Sequence, residues 1–299
     1  CYTVCTFWKG GMAMNLCDYD TIRALLGRHG FHFSKSMGQN FLIDPEVPAR
    51  IAEASQADRS CGVLEIGPGI GPLTAELAQR AGKVVSVELD KTLLPVLAET
   101  MAPYPNVEIV PGDVMKLDLD ALIAEKFQGL TPIVCANLPY NITTPVLTRL
   151  IETPCLKTVT VLIQKEVAQR LAAPQGSADG GSFSLFLQYY MESELLFDVP
   201  REKFHPAPKV TSAVLRCVRR DHPAVEVADE AFFFRVMRGA FLLRRKTLAN
   251  SLCAALPAFS KEQILGAMSR CGLPADIRGE RLTLQDFSDL AAILNSAEK

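Results

Sequence analysis

The sequence predicts a doubly wound α/β protein with a small all-helical region at its C-terminal end. Three observations carry this expectation. From residue 62 onward, short runs of Val, Ile and Leu alternate with helical patterns. Those runs lack the polar alternation of a half-exposed strand, as strands buried on both faces do. Beyond residue 223 the strand signals give way to helical spacing alone.

Helical patterning begins after Met14, with Asp18 or Asp20 as the N-cap of a helix over 22–28. The alternation then reads as strand 63–66 and helix 73–80, strand 84–87 and helix 92–100, and strand 107–110. Strand 133–136 with helix 144–151 follows, then strand 158–163 with helix 166–172. A Gly- and Ser-rich loop spans 175–182. Residues 184–199 and 212–219 read as strands that close the sheet as a hairpin-like pair around 200–211. Asp221-His222-Pro223 reads as a linker, and 232–243, 247–256, 261–271 and 284–295 as helices of a second domain. The expected organisation is an extension over 1–13, a catalytic domain over 14–222 and a helical domain over 223–299. Residues 1–11 lack the basic start and apolar core of a signal peptide, and Met12 and Met14 are the expected starts.

The chain has 299 residues, 48% of them hydrophobic, with 31 basic and 33 acidic side chains. A chain of this size buries a core without disulfide or metal staples, so disordered, collagenous and disulfide-scaffold classes are excluded. No apolar run approaches the roughly 18 residues of a membrane span, so no membrane association is expected. The nine cysteines form no C-x-x-C and the four histidines no H-E-x-x-H, which predicts neither disulfides nor a metal site and a reducing, cytoplasmic setting. Charge divides unevenly: residues 1–199 carry 15 basic and 22 acidic side chains, residues 200–299 carry 16 and 11. The positive segment is the one expected to face a polyanion.

Glu65-Ile66-Gly67-Pro68-Gly69-Ile70-Gly71 ends the first predicted strand and leads into a helix, where glycines let a nucleotide approach the backbone. Glu88 lies 21 residues after Gly67, at the end of the next strand, where a carboxylate accepts hydrogen bonds from ribose hydroxyls. NAD and S-adenosylmethionine both suit this arrangement. The spacing is G-x-G-x-G, not G-x-G-x-x-G, which leans towards S-adenosylmethionine. Asp113 follows the third strand, placed to accept from an adenine amine. Asn137-Leu138-Pro139-Tyr140 follows the fourth, at the edge where ligands of open α/β sheets collect. An aromatic exocyclic amine must pyramidalise before it attacks a methyl sulfonium. The Asn137 side-chain oxygen and the Leu138 carbonyl are suited to hold its hydrogens, and Tyr140 to stack on the base.

Together with Lys35-Ser36-Met37-Gly38-Gln39-Asn40-Phe41-Leu42, Phe204-His205-Pro206-Ala207-Pro208-Lys209-Val210 and Arg244-Arg245-Lys246, these motifs resemble the ribosomal RNA adenine N6-dimethyltransferase family over about residues 20–295. The resemblance implies a Rossmann-like class I S-adenosylmethionine-dependent methyltransferase sheet. It implies that Gln39, Asn40, Leu42, Gly67 and Gly69 bind S-adenosylmethionine, with Glu88 on the ribose and Asp113 on the adenine amine. Asn137, Leu138, Pro139 and Tyr140 form the catalytic turn, with Asn137 between cofactor and base, and Phe204 is similar to the family's second stacking aromatic. Lys209, Arg244, Arg245 and Lys246 are expected at the RNA, with Arg235 and Arg238 extending the basic stripe one to three turns earlier. The implied reaction dimethylates two adjacent adenines in the 3′-terminal hairpin of small-subunit rRNA, leaving S-adenosylhomocysteine, within a ribosomal subunit or assembly intermediate. A monomer is expected. Residues 241–248 and Arg278-Gly279-Glu280-Arg281-Leu282 look more like the small-subunit branch than the large-subunit, antibiotic-resistance branch, which shares the catalytic motifs. An NAD-dependent oxidoreductase and a non-catalytic RNA-binding factor are the more distant alternatives.

Overall fold

The computed structural model describes residues 14–31, 40–243 and 245–298. Seven strands form one sheet in the order β4-β3-β2-β5-β6-β9-β7. The strands are β2 (Cys61–Ile66), β3 (Lys83–Glu88), β4 (Val107–Pro111), β5 (Thr131–Asn137), β6 (Thr158–Gln164), β7 (Met191–Val199) and β9 (Ser212–Arg219). β2 pairs in parallel with β3 and with β5, β3 with β4, and β5 with β6. The chain order therefore reverses between β2 and β5, and an open α/β sheet binds its ligand in the crevice beyond the carboxyl ends at such a point. All six residues of β2 are buried, which is why its sequence shows no polar alternation.

The helices between these strands are α3 (Pro72–Arg80), α4 (Leu94–Thr100), α5 (Leu119–Lys126) and α6 (Thr143–Ile151). α1 (Tyr19–Arg28) takes Asp18 as its N-cap, the side chain accepting from Thr21 N, so of the two expected caps the structure uses the first. α2 (Glu46–Ala54), α5 and a two-residue antiparallel pair of β1 (Phe41–Leu42) with β8 (Phe204–His205) have no counterpart in the sequence reading. α5 escapes it because its apolar residues, Leu119, Ala121, Leu122, Ile123 and Ala124, run around the helix with little segregation to one face, and only Leu119 and Ile123 are buried.

Residues 184–199 do not form one strand. Ser182–Tyr190 is a helix, α8, after α7 (Lys165–Leu171), and the strand β7 begins only at Met191. The aromatic, apolar run favours a strand by propensity, but Leu185 and Tyr189, one helical turn apart, both enter a core with Phe233, Phe234 and Leu290. Tertiary packing overrides propensity there.

The chain divides into two compact units, residues 1–164 with 196–216, and residues 165–195 with 217–299. The second unit thus takes in α7 and α8, and its boundary does not fall at 222. Its remaining helices are α9 (Glu230–Ala240), α10 (Leu248–Ala255), α11 (Lys261–Arg270) and α12 (Leu284–Glu298), packed around an apolar core that includes Phe233, Leu252, Met268 and Phe287. Among the described residues no helix is long and apolar enough to cross a membrane.

Candidate active site

A cleft of about 170 Å³, open at its mouth, lies at the carboxyl ends of β2, β3, β4 and β5, entirely within the first unit. Four successive strand ends supply its wall. Gly67 and Gly69 come from the β2–α3 turn, Glu88 from β3, Asp113 from the β4 loop, and Asn137 to Tyr140 from β5. Gly67 and Gly69 have φ of 67° and 62°, in the left-handed region that a Cβ disfavours. The glycines are therefore demanded by backbone geometry, and at Gly67 not by crowding, since a Cβ there meets nothing closer than Pro139 Cδ at 3.8 Å.

Glu88 is buried, 6% exposed. Its Oε1 accepts from Asp90 N at 2.8 Å and its Oε2 from Gly69 N at 3.4 Å, so one carboxylate joins the β3 end to the glycine turn. Burial raises its pKa, against those amide donors, which lower it. Asp113 Oδ1 accepts from Met115 N at 2.9 Å, a local turn that holds the carboxylate at the cleft. Leu89 lines the same wall, 52% exposed although apolar. An apolar residue directly after a strand-terminal acid is the signal that sequence reasoning passed over.

Leu138 is buried and its N–H donates to Leu162 O at 3.1 Å, tying the turn after β5 to β6. The Pro139 carbonyl accepts from Ile142 N and Thr143 Oγ1, both at 3.2 Å, which starts α6 directly behind the turn. Tyr140 is half-buried, and its hydroxyl shares a 2.6 Å hydrogen bond with Ser212 Oγ. Burial raises the phenol's pKa, so it stays neutral across ordinary pH. Ser212 is 0% exposed, 72 residues away in sequence, and carried no signal of its own.

Glu65, which opens the glycine motif, has no role assigned from the sequence. It is 1% exposed and its Oε2 accepts from Thr74 Oγ1 and Ser86 Oγ, both at 2.6 Å. Desolvation pushes its pKa up to about 7, the two hydroxyls opposing that shift. One carboxyl group so links β2, α3 and β3 around the glycine turn.

Asn40 and Leu42 line the cleft from β1 and the residue before it, and Phe204 lines it from the paired strand β8. Phe204 is only 2% exposed and packs with Leu42, Val199 and Val214. Gln39 and Arg244 lie outside the described residues. Lys209 is exposed and does not line the cleft. Arg235, Arg238, Arg245 and Lys246 are exposed on the second unit, with the Arg235 guanidinium 4.8 Å over the Phe232 ring. Among the described residues no group of three or more His, Cys, Asp or Glu is placed to hold a metal ion.

A family model described as ribosomal RNA adenine dimethylase matches residues 30–295. The chain is 46% identical over 276 residues to Ribosomal RNA small subunit methyltransferase A of Geobacillus sp. strain WCH70, covering 91% of this chain and 95% of that protein. It is 46% identical over 287 residues to the protein of the same name from Streptococcus gordonii, covering 95% and 99%. Among solved structures, the 23S rRNA methyltransferase ErmE superposes with a TM-score of 0.66 at 28% identity, over 86% of this chain and 100% of that one. A dimethyladenosine transferase from Plasmodium falciparum shares the fold, with a TM-score of 0.70 at 24% identity over 85% and 97%. With a family match across nearly the whole described length and relatives of this identity, the chain belongs to the ribosomal RNA adenine dimethylase family.

Proposed function

We propose that this protein transfers methyl groups from S-adenosylmethionine to the N6 amines of two adjacent adenines in the 3′-terminal hairpin loop of small-subunit rRNA. One observation carries the reading: Glu88, Asp113 and the Asn137–Tyr140 turn, from three different strand ends, meet in a single cleft at the sheet's switch point. The 46% identity to small-subunit methyltransferases supports the choice of rRNA subunit.

The residues present fit the cofactor. The left-handed turn at Gly67 and Gly69 exposes backbone without side chains, and the buried Glu88 is an acceptor suited to paired ribose hydroxyls. Asp113, Leu89, Asn40 and Leu42 line the same cleft; Asp113 would accept from the adenine amine, Leu89 would offer that ring an apolar surface, and Asn40 and Leu42 would hold the methionine part and ribose end. Bound there, S-adenosylmethionine supplies an electrophilic methyl group on a sulfonium.

Asn137 and the Leu138 carbonyl hold the hydrogens of the target amine out of the ring plane, which returns the nitrogen lone pair from the ring to the side facing the cofactor. Tyr140 stacks on the flipped base, its ring fixed by the hydrogen bond to Ser212. Phe204 backs the same wall. A base in a loop is cheap to unstack, at a few kcal/mol, and aromatic stacking offsets that cost. Lys209, Arg245 and Lys246, with Arg235 and Arg238, bind RNA phosphates, the helical unit serving as an RNA- and ribosome-binding body. The protein acts as a monomer in the cytoplasm on a subunit or assembly intermediate.

The test is methyl transfer from labelled S-adenosylmethionine to unmethylated small and, separately, large ribosomal subunits, followed by nucleoside analysis. N6,N6-dimethyladenosine confined to the small subunit is the expected result. Label in the large subunit alone, the activity named for the ErmE neighbour, overturns the choice of substrate, and label in neither overturns the enzymatic reading.

A further inference from the structure

The loop after β4 is folded locally by Asp113. Besides the side-chain bond to Met115 N, the Asp113 carbonyl accepts from Lys116 N at 2.8 Å and from Leu117 N at 3.2 Å. At its start, Gly112 N donates to Glu88 O at 2.9 Å. The far side of the loop is held by a residue of another element. Arg149, on α6, donates from Nη1 to Met115 O at 2.9 Å and from Nη2 to Leu117 O.

This contact joins the two ends of the cleft. Asp113 and Val114, which open the loop, line it, as do Tyr140, Asn141 and Ile142, which lead directly into α6. A guanidinium is planar and its donors diverge in a fixed fork, so two carbonyls two residues apart held by one fork cannot move independently of the helix that carries it. An ammonium in its place is a single point donor and leaves the loop a rotational freedom. The ion pair between Lys116 and Asp113, at 3.7 Å with the lysine 84% exposed, does not substitute for this hold. Arg149 Nε is buried with no protein partner, so part of the guanidinium is desolvated without compensation at that nitrogen, while the two bonds to the loop are kept.

We infer, resting on the function proposed above, that Arg149 is a positioning residue that sets the distance between the adenosine end of the cleft at Asp113 and the target-amine end at Asn137–Tyr140. It touches neither cofactor nor base and acts through the loop carbonyls. The chemistry it serves is recognition of the cofactor's adenine by Asp113 in register with the methyl-accepting turn.

The experiment compares the full chain with Arg149→Lys, Asp113→Ala and the double variant, by calorimetric binding of S-adenosylmethionine, steady-state methylation of small subunits, and thermal melts. Arg149→Lys is expected to weaken S-adenosylmethionine binding about fivefold to tenfold, with KM for it rising more than kcat falls. In the Asp113→Ala background the same change is expected to add less than about twofold, because the two act on one contact. An Arg149→Lys protein that binds within about twofold of the parent, or an effect undiminished in the Asp113→Ala background, overturns the inference and leaves Arg149 a packing residue. Arg149→Lys keeps the charge and most of the stem, so a folding failure of Arg149→Ala does not decide the matter. A parent chain that binds no S-adenosylmethionine overturns the proposed function and the inference with it, an outcome distinct from a parent that binds while Arg149→Lys matches it.

Discussion

Thr74 and Ser86 donate to the same oxygen of Glu65, a pattern that suits a carbonyl oxygen as well as a carboxylate. The folded-state pKa of about 7 lies above the ordinary value of 4.5. As pH rises the unfolded chain ionises first, so the stability this group contributes is full below about pH 4.5 and is lost as pH rises through about 7. The loss is on the order of 3 kcal/mol. Glu65→Gln keeps an oxygen for both hydroxyls and removes the proton, so urea unfolding at pH 5 and pH 8 is expected to show the parent losing about 2 to 3 kcal/mol more than the variant. Equal losses would refute the assignment of that pKa to Glu65. At Tyr140, Ser212→Ala removes the hydroxyl partner and is expected to cost about 1 kcal/mol in stability. It is also expected to raise KM for the RNA substrate several-fold by loosening the ring, with S-adenosylmethionine binding unchanged. Steady-state kinetics beside calorimetry read both, and a change in cofactor affinity instead would place Ser212 elsewhere in the mechanism. The sequence displayed Glu65 and Tyr140 within motifs, but Ser86 and Ser212 reach them only through the packing of other strands, and Thr74 only through the fold of the glycine turn, which no local pattern encodes.

Element by element, the β2–α3 turn depends on backbone that a side chain disfavours. Gly67→Ala, with φ of 67° and no close neighbour for its new Cβ, is expected to cost about 1 to 2 kcal/mol from conformational strain alone. A weakened S-adenosylmethionine affinity in calorimetry, beyond what the melt explains, would mark the turn as part of the cofactor cradle. In the second unit α9 and α10 meet at Gly239, where a Cβ would lie 2.7 Å from Ala255 Cβ. Gly239→Ala is expected to lower stability by about 1 to 3 kcal/mol through overpacking, measured by denaturant unfolding. The parallel strands were legible within one or two residues because burial on both faces writes a continuous apolar run in β2, β3, β5 and β6, and the edge strand β4 keeps β-branched Val107, Ile109 and Val110 although only half-buried. α8 was not, because the same composition serves a helix when its neighbours present an aromatic core; α5 carries little helical periodicity, whereas α2 does carry an apolar face, Val47, Pro48, Ile51 and Ala52, that the strand-first reading passed over.

At the scale of the whole molecule, the charge split between 1–199 and 200–299 is the feature that bears on RNA. Arg245 and Lys246 are exposed, as phosphate contacts require. Replacing both with Ala is expected to weaken binding of a hairpin RNA and to reduce the slope of log K against log salt by about 1 to 2, with stability unchanged. A fluorescence-anisotropy titration over a range of salt measures it, and an unaltered slope would exclude these two side chains from the interface. The division into units was only partly readable: the helical region beyond 223 shows in the spacing, but α7 and α8 join it through contacts between segments far apart in sequence.

The sequence by itself determined the α/β class, the succession of parallel strands and helices along the chain and the chemical type of the cleft, because burial and turn geometry leave periodic and compositional marks on neighbouring residues. The tertiary structure alone decided which strand ends meet at the switch point, that Ser212 holds Tyr140, that Glu65 is sealed between two hydroxyls, and that Arg149 braces the Asp113 loop. Apart from the Glu65–Thr74 bond, which spans only the glycine turn, each of these joins residues separated by at least one complete element. Their proximity is a property of how the sheet and helices pack, so it becomes visible only when the chain is folded.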